Sequence, residues 1–544
     1  MMVKPPKIKL GKIFGPFLLL SLAVGFAWAS NDDLYSMLRL FERVAITVSD
    51  RYIDRPEPGK IIDAAIDGMM AGLDPYSNYL SEQEYSLLMQ ETQGEYIGVG
   101  LELETHLDTV RVSSIIEGSP AFASNIGIGD RLIRIDTASV IGMSDAQCRK
   151  LLRGELDSRV SITFERPSLA REFTVELLRT KIHVSSIPSW CIDENNIGCI
   201  KISRFSEGCA GELKNVITLL KERGVKGIIV DIRDNPGGLL YEAVEAVAIF
   251  LNAGDRVVET NGRGAASRRT YDVFEDGCYN TGPLVVVLNG HTASAAEIFA
   301  GAIQDLDRGL TVGSASFGKG LVQQVLHFSD NSALKLTTAK YYTPSNRCIQ
   351  KDATLAADSA SAGRPVLHYT KSGRPVFGGG GIIPDLYIEL PERAPLIEEI
   401  MTAGYAFDFV SEYGPGLKVE ATFKVDEKLV DRFYGYIAKR GYTYHDDADN
   451  DFRQFVAAHK ASIGDRSIGG QLDKMSEYLA RRSGDELESL RPQVKDLLYE
   501  SFIRRRMDSR EAYRLLNVAH DPELLKARDV VNNPDAYGNL LAGF

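Results

Sequence analysis

From Asn31 to about Gln93 apolar residues recur at intervals of three and four: Leu34, Met37, Leu38, Phe41 and Val44, then Ile61, Ala65, Ile66, Met69 and Met70. That spacing predicts two or three amphipathic helices, closed by the turn signal Asp74-Pro75-Tyr76-Ser77-Asn78-Tyr79. Between 94 and about 180 the period shortens. Runs of β type at Thr109–Ile115, Arg131–Ile135 and Val160–Phe164 surround Gly118-Ser119-Pro120-Ala121 and Gly127-Ile128-Gly129-Asp130, and predict a small β domain. From about Lys181 strands (Ile197–Ile202, Gly227–Ile232, Leu284–Leu288) alternate with helices (Cys209–Arg223, Leu240–Leu251, Ala295–Leu306), which predicts an α/β core. Beyond Glu392 the pattern is charged amphipathic helix, as in Lys428–Arg440 and in Pro492–Arg506, whose proline suits a first helical position.

One stretch of the core carries candidate chemistry. The apolar run Leu284–Leu288 leads into Asn289-Gly290-His291-Thr292-Ala293-Ser294-Ala295-Ala296-Glu297, so a strand, a tight turn and a helix are expected, with Ser294 at or beside the helix N-terminus. An anion forming there would meet unpaired N–H groups. Downstream, Gly318-Lys319-Gly320 opens a run from Leu321 to Phe328 that reads as a strand, on which alternation would place Lys319 and Gln323 on one face. A serine with a lysine in a Gly-rich turn suggests a Ser/Lys dyad, though spacing alone would pair many serines and lysines.

Four ordered segments make the likeness specific. Asp231-Ile232-Arg233-Asp234-Asn235-Pro236-Gly237-Gly238, then Thr292 to Glu297, then Asp305, then Phe317-Gly318-Lys319-Gly320-Leu321-Val322-Gln323 resemble the carboxy-terminal processing (tail-specific) protease family. A second serine often follows the nucleophile in that family, where this chain has Ala296. The resemblance implies Ser294 as nucleophile, Lys319 as general base and Gln323 as a partner positioning the lysine. It also implies a crotonase-like core, in which the backbone of Gly238 and Ala295 would form the oxyanion hole, with Gly237 the rival to Gly238. The β domain resembles a PDZ domain. Its carboxylate-binding loop would be Tyr96, Ile97, Gly98, Val99, Gly100 and Leu101, whose successive N–H groups receive a chain terminus, with Ser144–Leu152 as the far wall. Gly378-Gly379-Gly380-Gly381-Ile382-Ile383-Pro384-Asp385 resembles the family's closing Gly-Gly-Ile-x-Pro-Asp.

The expected organisation is multidomain α/β: a signal peptide or anchor over 1–29, an N-terminal helical segment over 30–93, a PDZ domain over 94–180, a crotonase-like protease core over 181–390 and a helical C-terminal domain over 391–544. The function implied is a serine endopeptidase acting on protein or peptide substrates with free C-termini. An inactive PDZ adaptor is the alternative, opposed by the presence of Ser294, Lys319 and Gln323 together; an acyl-CoA enzyme of crotonase type would have no reason for a PDZ domain. A lysine base must be neutral, against an ordinary pKa of about 10.4, and burial beside Phe317 and Leu321 would lower it.

The net charge of −12 argues against a nucleic-acid partner. Lys4, Lys7, Lys9 and Lys12 precede an apolar run from Ile13 to Trp28 that ends Ala27-Trp28-Ala29, the order of a secretory signal. Export to the periplasm or cell envelope is therefore expected, with membrane anchoring through residues 13–29 left open, as is a homo-oligomer. The six cysteines, at 148, 191, 199, 209, 278 and 348, and the eight histidines are dispersed; no cofactor or metal is expected. Cys191 and Cys199 flank a turn and would face each other across a hairpin, bridged or as thiols. His291 is expected to be a loop residue rather than a base.

Overall fold

The computed structural model describes residues 14–106, 109–169, 171–264, 267–351, 366–390, 392–459 and 466–543, with the side chains of 14–32, 415 and 466–468 outside the description. The lysines of the basic start fall outside it. Two compact units are present, residues 1–83 with 323–337 and residues 84–322 with 338–544. In the first, helices span Phe14–Arg51 and Pro58–Ala71, the latter with proline in its first turn. Asp74 caps its own turn by accepting from the N–H groups of Tyr76 (2.8 Å) and Ser77 (2.9 Å). Strand Asn78–Leu80 then pairs antiparallel with residues 333–335. The periodic residues Leu34, Met37, Leu38, Phe41 and Val44 are exposed. Among the described residues no helix is long and apolar enough to cross a membrane.

In the second unit, six strands form an antiparallel sheet: Leu101–His106, Thr109–Ile115, Arg131–Ile135, Arg159–Arg166 and Arg171–Leu178 in that order, with Ala138–Ser139 paired to the third. Alternate residues point inward, so Val110 and Val112, and Val160, Ile162 and Phe164, are buried in one cluster with Leu101, Leu103 and Leu132. Each such side chain contributes roughly 1.5–3 kcal/mol by leaving water. Helix Asp145–Leu152 is capped reciprocally by Ser144 and Gln147 and closes the core with Cys148 and Leu152.

The next layer is a six-stranded sheet in the order Ser189–Ile192, Gly198–Lys201, Ile228–Asp231, Leu284–Leu288, Leu310–Gly313, Leu386–Tyr387. All neighbours are parallel except the first pair, a hairpin that sets Cys191 opposite Cys199; both are thiols. Strand Leu284–Leu288 is buried throughout, as a strand covered on both faces must be. Val286 and Leu288 face helices Cys209–Glu222, Leu240–Ala248 and Ala295–Asp305. Val285 and Val287 face Tyr513, Val518, Leu524, Ala527, Val530 and Val531.

This second cover comes from beyond the expected boundary at 390. Helices Pro395–Thr402, Tyr405–Tyr413, Glu427–Lys439 and Arg491–Arg506 do form a separate core around Phe409, Phe433 and Phe502. The residues after them return to the sheet, because its apolar face needs a cover that the earlier segments do not supply. The helical core also touches the β domain: Arg111 pairs with Asp408, and burial draws the Arg111 guanidinium down to about 10.

Candidate active site

Strand Leu284–Leu288 delivers the chain to a turn fixed by Thr292. Its hydroxyl donates to the Ile232 carbonyl (2.9 Å) and accepts from the Asn289 N–H (3.0 Å), while the Ala293 N–H donates to the Asn235 carbonyl (3.0 Å). Ser294 follows at φ 56°, ψ −118°, as the N-cap of helix Ala295–Asp305. A non-glycine residue in that region costs about 1–3 kcal/mol and persists only when its surroundings impose it. Here the imposing group is Glu297, whose carboxylate accepts the Ser294 N–H (2.8 Å).

Glu297 is wholly buried and does more than cap. It also accepts from the Ser316 hydroxyl (2.5 Å), the Gly318 N–H (2.8 Å) and the Lys319 N–H (2.9 Å). Burial pushes its carboxyl above the usual range, and these donors only partly offset that. On the other side, the buried Tyr341 hydroxyl lies 2.7 Å from the Lys319 carbonyl and 3.1 Å from the Ser294 carbonyl, its proton shared between them. One carboxylate and one phenol thus fix the peptide groups of Ser294 and Lys319 against each other. The Ser294-x-x-Glu297 spacing of a capping box was the available signal for Glu297, and Tyr341 had none.

The segment 235–238 lies against the same serine. A Cβ on Gly237 would come within 2.9 Å of the Ser294 Cβ and 3.0 Å of the Ala295 nitrogen, and one on Gly238 within 2.3 Å of the Phe205 carbonyl oxygen. Only glycine fits either position. The Gly237 N–H donates to the Asn235 side-chain carbonyl (2.8 Å), so the rival donor Gly237 is already engaged. Among the described residues, the N–H groups of Gly238 and Ala295 have no protein acceptor.

Other expectations fare differently. Lys319 precedes the strand, which begins at Leu321; the Glu297 carboxylate draws the N–H groups of both Gly318 and Lys319 out of any ladder. Alternation along a strand therefore does not relate Lys319 to Gln323. Gln323 belongs to the first unit, where its amide donates to Thr337 (3.3 Å), whose hydroxyl donates to Asp74 (3.2 Å). Phe317 is 47% exposed, Leu321 and Lys319 are half-buried, and the Phe317 N–H donates to the Thr292 carbonyl (3.0 Å). Asp305 sits at the far end of the helix from Ser294, paired with buried Arg347 (2.7 Å). His291 is exposed. Among the described residues no group of acids, histidines or cysteines could hold a metal.

The PDZ stretch divides in three. Tyr96–Gly98 are strand, paired with Thr180–Lys181-Ile182; Val99 and Gly100 turn, Gly100 at φ 82° against Ser119; Leu101 opens the next strand. Of the expected loop, Tyr96, Gly98, Val99, Gly100 and Leu101 line one groove. This groove, of about 180 Å³, is also walled by Ile116, Arg149, Leu152 and Arg153. The Arg153 guanidinium lies 5.6 Å from the Tyr96 ring centre, and burial pushes the Tyr96 phenol up to about 12.

A serine poised at a helix start beside a Gly-Gly segment, in a chain that also carries a peptide-groove domain, defines a serine-type peptidase with a PDZ domain. Known proteins agree. Residues 196–359 match the model of peptidase family S41, residues 95–177 that of the PDZ domain, and residues 396–531 that of a probable PDZ-protease C-terminal helical domain. The chain is 32% identical over 345 residues to a carboxy-terminal-processing protease of Bartonella bacilliformis, covering 62% of this chain and 79% of that one. It is 35% identical over 334 residues to a probable CtpA-like serine protease of Staphylococcus haemolyticus, covering 60% and 66%. A solved photosystem II D1 C-terminal processing protease is 26% identical, covering 65% of this chain and 94% of that one at a TM-score of 0.35. The chain belongs to the carboxy-terminal-processing proteases of peptidase family S41.

Proposed function

We propose that the protein is an endopeptidase that takes the free carboxyl end of a substrate in the PDZ groove and cleaves by a Ser294/Lys319 dyad. The observation that carries this reading is the fixing of Ser294 and Lys319 to one carboxylate and one phenol. The Lys319 amine takes the Ser294 proton as the hydroxyl attacks the scissile carbonyl, then returns it to the leaving amine. Gly238 and Ala295 N–H groups meet the oxyanion, and the N-terminus of helix Ala295–Asp305 favours its charge. In the groove, Val99, Gly100 and Leu101 offer N–H groups to the substrate carboxylate, and Arg149 and Arg153 add positive charge at the wall. The enzyme is exported and works in the periplasm or cell envelope.

Three variants and two peptides test this. Ser294→Ala and Lys319→Arg should each abolish cleavage, the second because guanidinium stays protonated and cannot act as base, and the double variant should be no worse. A peptide with a free apolar C-terminus should be cut faster than its amidated copy. An active Lys319→Arg protein would move the base elsewhere; indifference to amidation would remove tail recognition.

A further inference from the structure

A cleft of about 1070 Å³ is lined by the ends of the parallel strands and by the returning C-terminal residues, among them Lys201, Asp231, Arg233, Tyr513, Asp521 and Glu523. Arg233 is its centre and is buried. Its Nε and Nη2 donate to Asp231 (3.0 and 2.8 Å), and its Nη1 donates to Asp521 (2.7 Å) and Glu523 (2.6 Å). Those last two carboxylates stand at the N-cap and in the first turn of helix Pro522–Asn532.

Arg233 is also the first residue of the segment that ends at Gly238. Its carbonyl accepts from the Lys201 ammonium (2.6 Å). Asp234, at φ 59°, exchanges hydrogen bonds with the Asn289 side chain (3.0 and 2.9 Å). The Asn235 side chain accepts the Gly237 N–H (2.8 Å), and its carbonyl accepts the Ala293 N–H (3.0 Å). The Gly-Gly segment is therefore pinned at one end by the turn that carries the nucleophile and at the other by a helix nearly 300 residues further along the chain.

The cluster is not arranged for stability alone. Lys201 and Arg233 face three carboxylates, one Glu523 oxygen is buried with no hydrogen-bond partner, and burial holds the Glu523 carboxyl above its usual range despite Arg233. A buried carboxylate oxygen left without a donor is destabilising; a role in placing Arg233 accounts for it.

We propose that Asp521 and Glu523 are positioning residues for the peptidase reaction: through Arg233 they fix the segment 233–238 so that the Gly238 N–H faces the oxyanion. This rests on the assignment of Ser294 and Gly238 above. A broken clamp would leave the substrate bound as before and weaken only what the transition state uses.

The experiment uses the full chain carrying Glu523→Gln, Asp521→Asn, or Glu194→Gln as control; Glu194 pairs with Arg528 on the same helix (3.3 Å) without touching Arg233. We would measure kcat and KM on a peptide with a free apolar C-terminus, and the inhibition constant of a peptidyl boronate, which forms a tetrahedral adduct with a nucleophilic serine. Expected is a fall in kcat of about tenfold or more for either clamp variant, below the cost of deleting an oxyanion donor outright. KM should stay within about twofold, and the boronate inhibition constant should rise in proportion to the fall in kcat; the control should match the parent. Combining Arg233→Gln with Glu523→Gln should cost no more than the worse single change. A folded Glu523→Gln protein with parental kcat overturns the proposal, as does a fall in kcat that leaves boronate affinity unchanged. If Glu523→Gln does not fold, Asp521→Asn decides, because that side chain is 19% exposed and its replacement disturbs the buried core less. Cleavage or unaltered boronate binding by Ser294→Ala would instead refute the dyad reading itself.

Discussion

The two faces of the parallel sheet are built by different means. Val286 and Leu288 are covered by helices that directly follow the strands they pack on, Ala295–Asp305 coming straight after Leu284–Leu288. Val285 and Val287 are covered by Leu524, Ala527, Val530 and Val531, more than 230 residues away. The first face carries the candidate nucleophile, and the second a buried ion cluster that grips the neighbouring Gly-Gly segment. Chemistry and its support can thus lie on opposite sides of one sheet, joined through the loops at the strand ends.

Removing residues 508–544 breaks the comparison most severely. It uncovers the second face, and with some ten large side chains at roughly 1.5–3 kcal/mol each, the loss exceeds a typical domain stability of about 5–15 kcal/mol. The truncated chain should be insoluble or lack a cooperative thermal transition; a soluble, cooperatively melting product would show that the first face suffices.

Glu297→Ala tests the first face. Four donors lose their acceptor at once, so stability should fall by about 3–5 kcal/mol in urea titrations, and kcat by about a hundredfold as Ser294 and Lys319 drift apart. Leu524→Ala probes the second face with a single side chain, and should cost about 2–5 kcal/mol by the same titration.

The smallest effect is on pH dependence. Glu297 and Glu523 are both held above the usual carboxyl range, mainly by burial. A raised carboxyl contributes stability that is complete below its unfolded pKa of about 4.5 and is lost as pH rises through the folded value. Asp231 behaves oppositely: burial works against its charge, but Arg233 and Lys201 prevail and hold it below its ordinary 3.8, so its contribution disappears only as pH falls through the folded value. Unfolding free energy measured upward from pH 4 should show a declining component, and Glu523→Gln should reduce it, leaving the share from Glu297 and the acid limb from Asp231 in place.

Much of the site was legible because its constraints are local. A fully apolar strand, a tight turn and a small-residue helix follow from consecutive residues, and Ser294 lies at the helix start as that pattern predicts. The β domain was equally plain, since alternation along Thr109–Ile115 and Val160–Phe164 reports which side of a sheet each residue faces. Periodicity misled where a contact overrode it. Lys319 sits ahead of its strand because a carboxylate 22 residues upstream takes its N–H.

The sequence by itself determined the order of the elements, the alternation of strands and helices in the core and the family motifs, all of which depend on neighbouring residues and the period of their side chains. Only the tertiary structure decided that Glu297 and Tyr341 fix the serine and lysine peptides, that Asn235 occupies the Gly237 N–H, and that the chain's last helices close the sheet and hold Arg233. The reason is physical: a pattern states that a face is apolar or a carboxylate buried, but the partner that satisfies it is chosen by which surfaces meet when the chain folds.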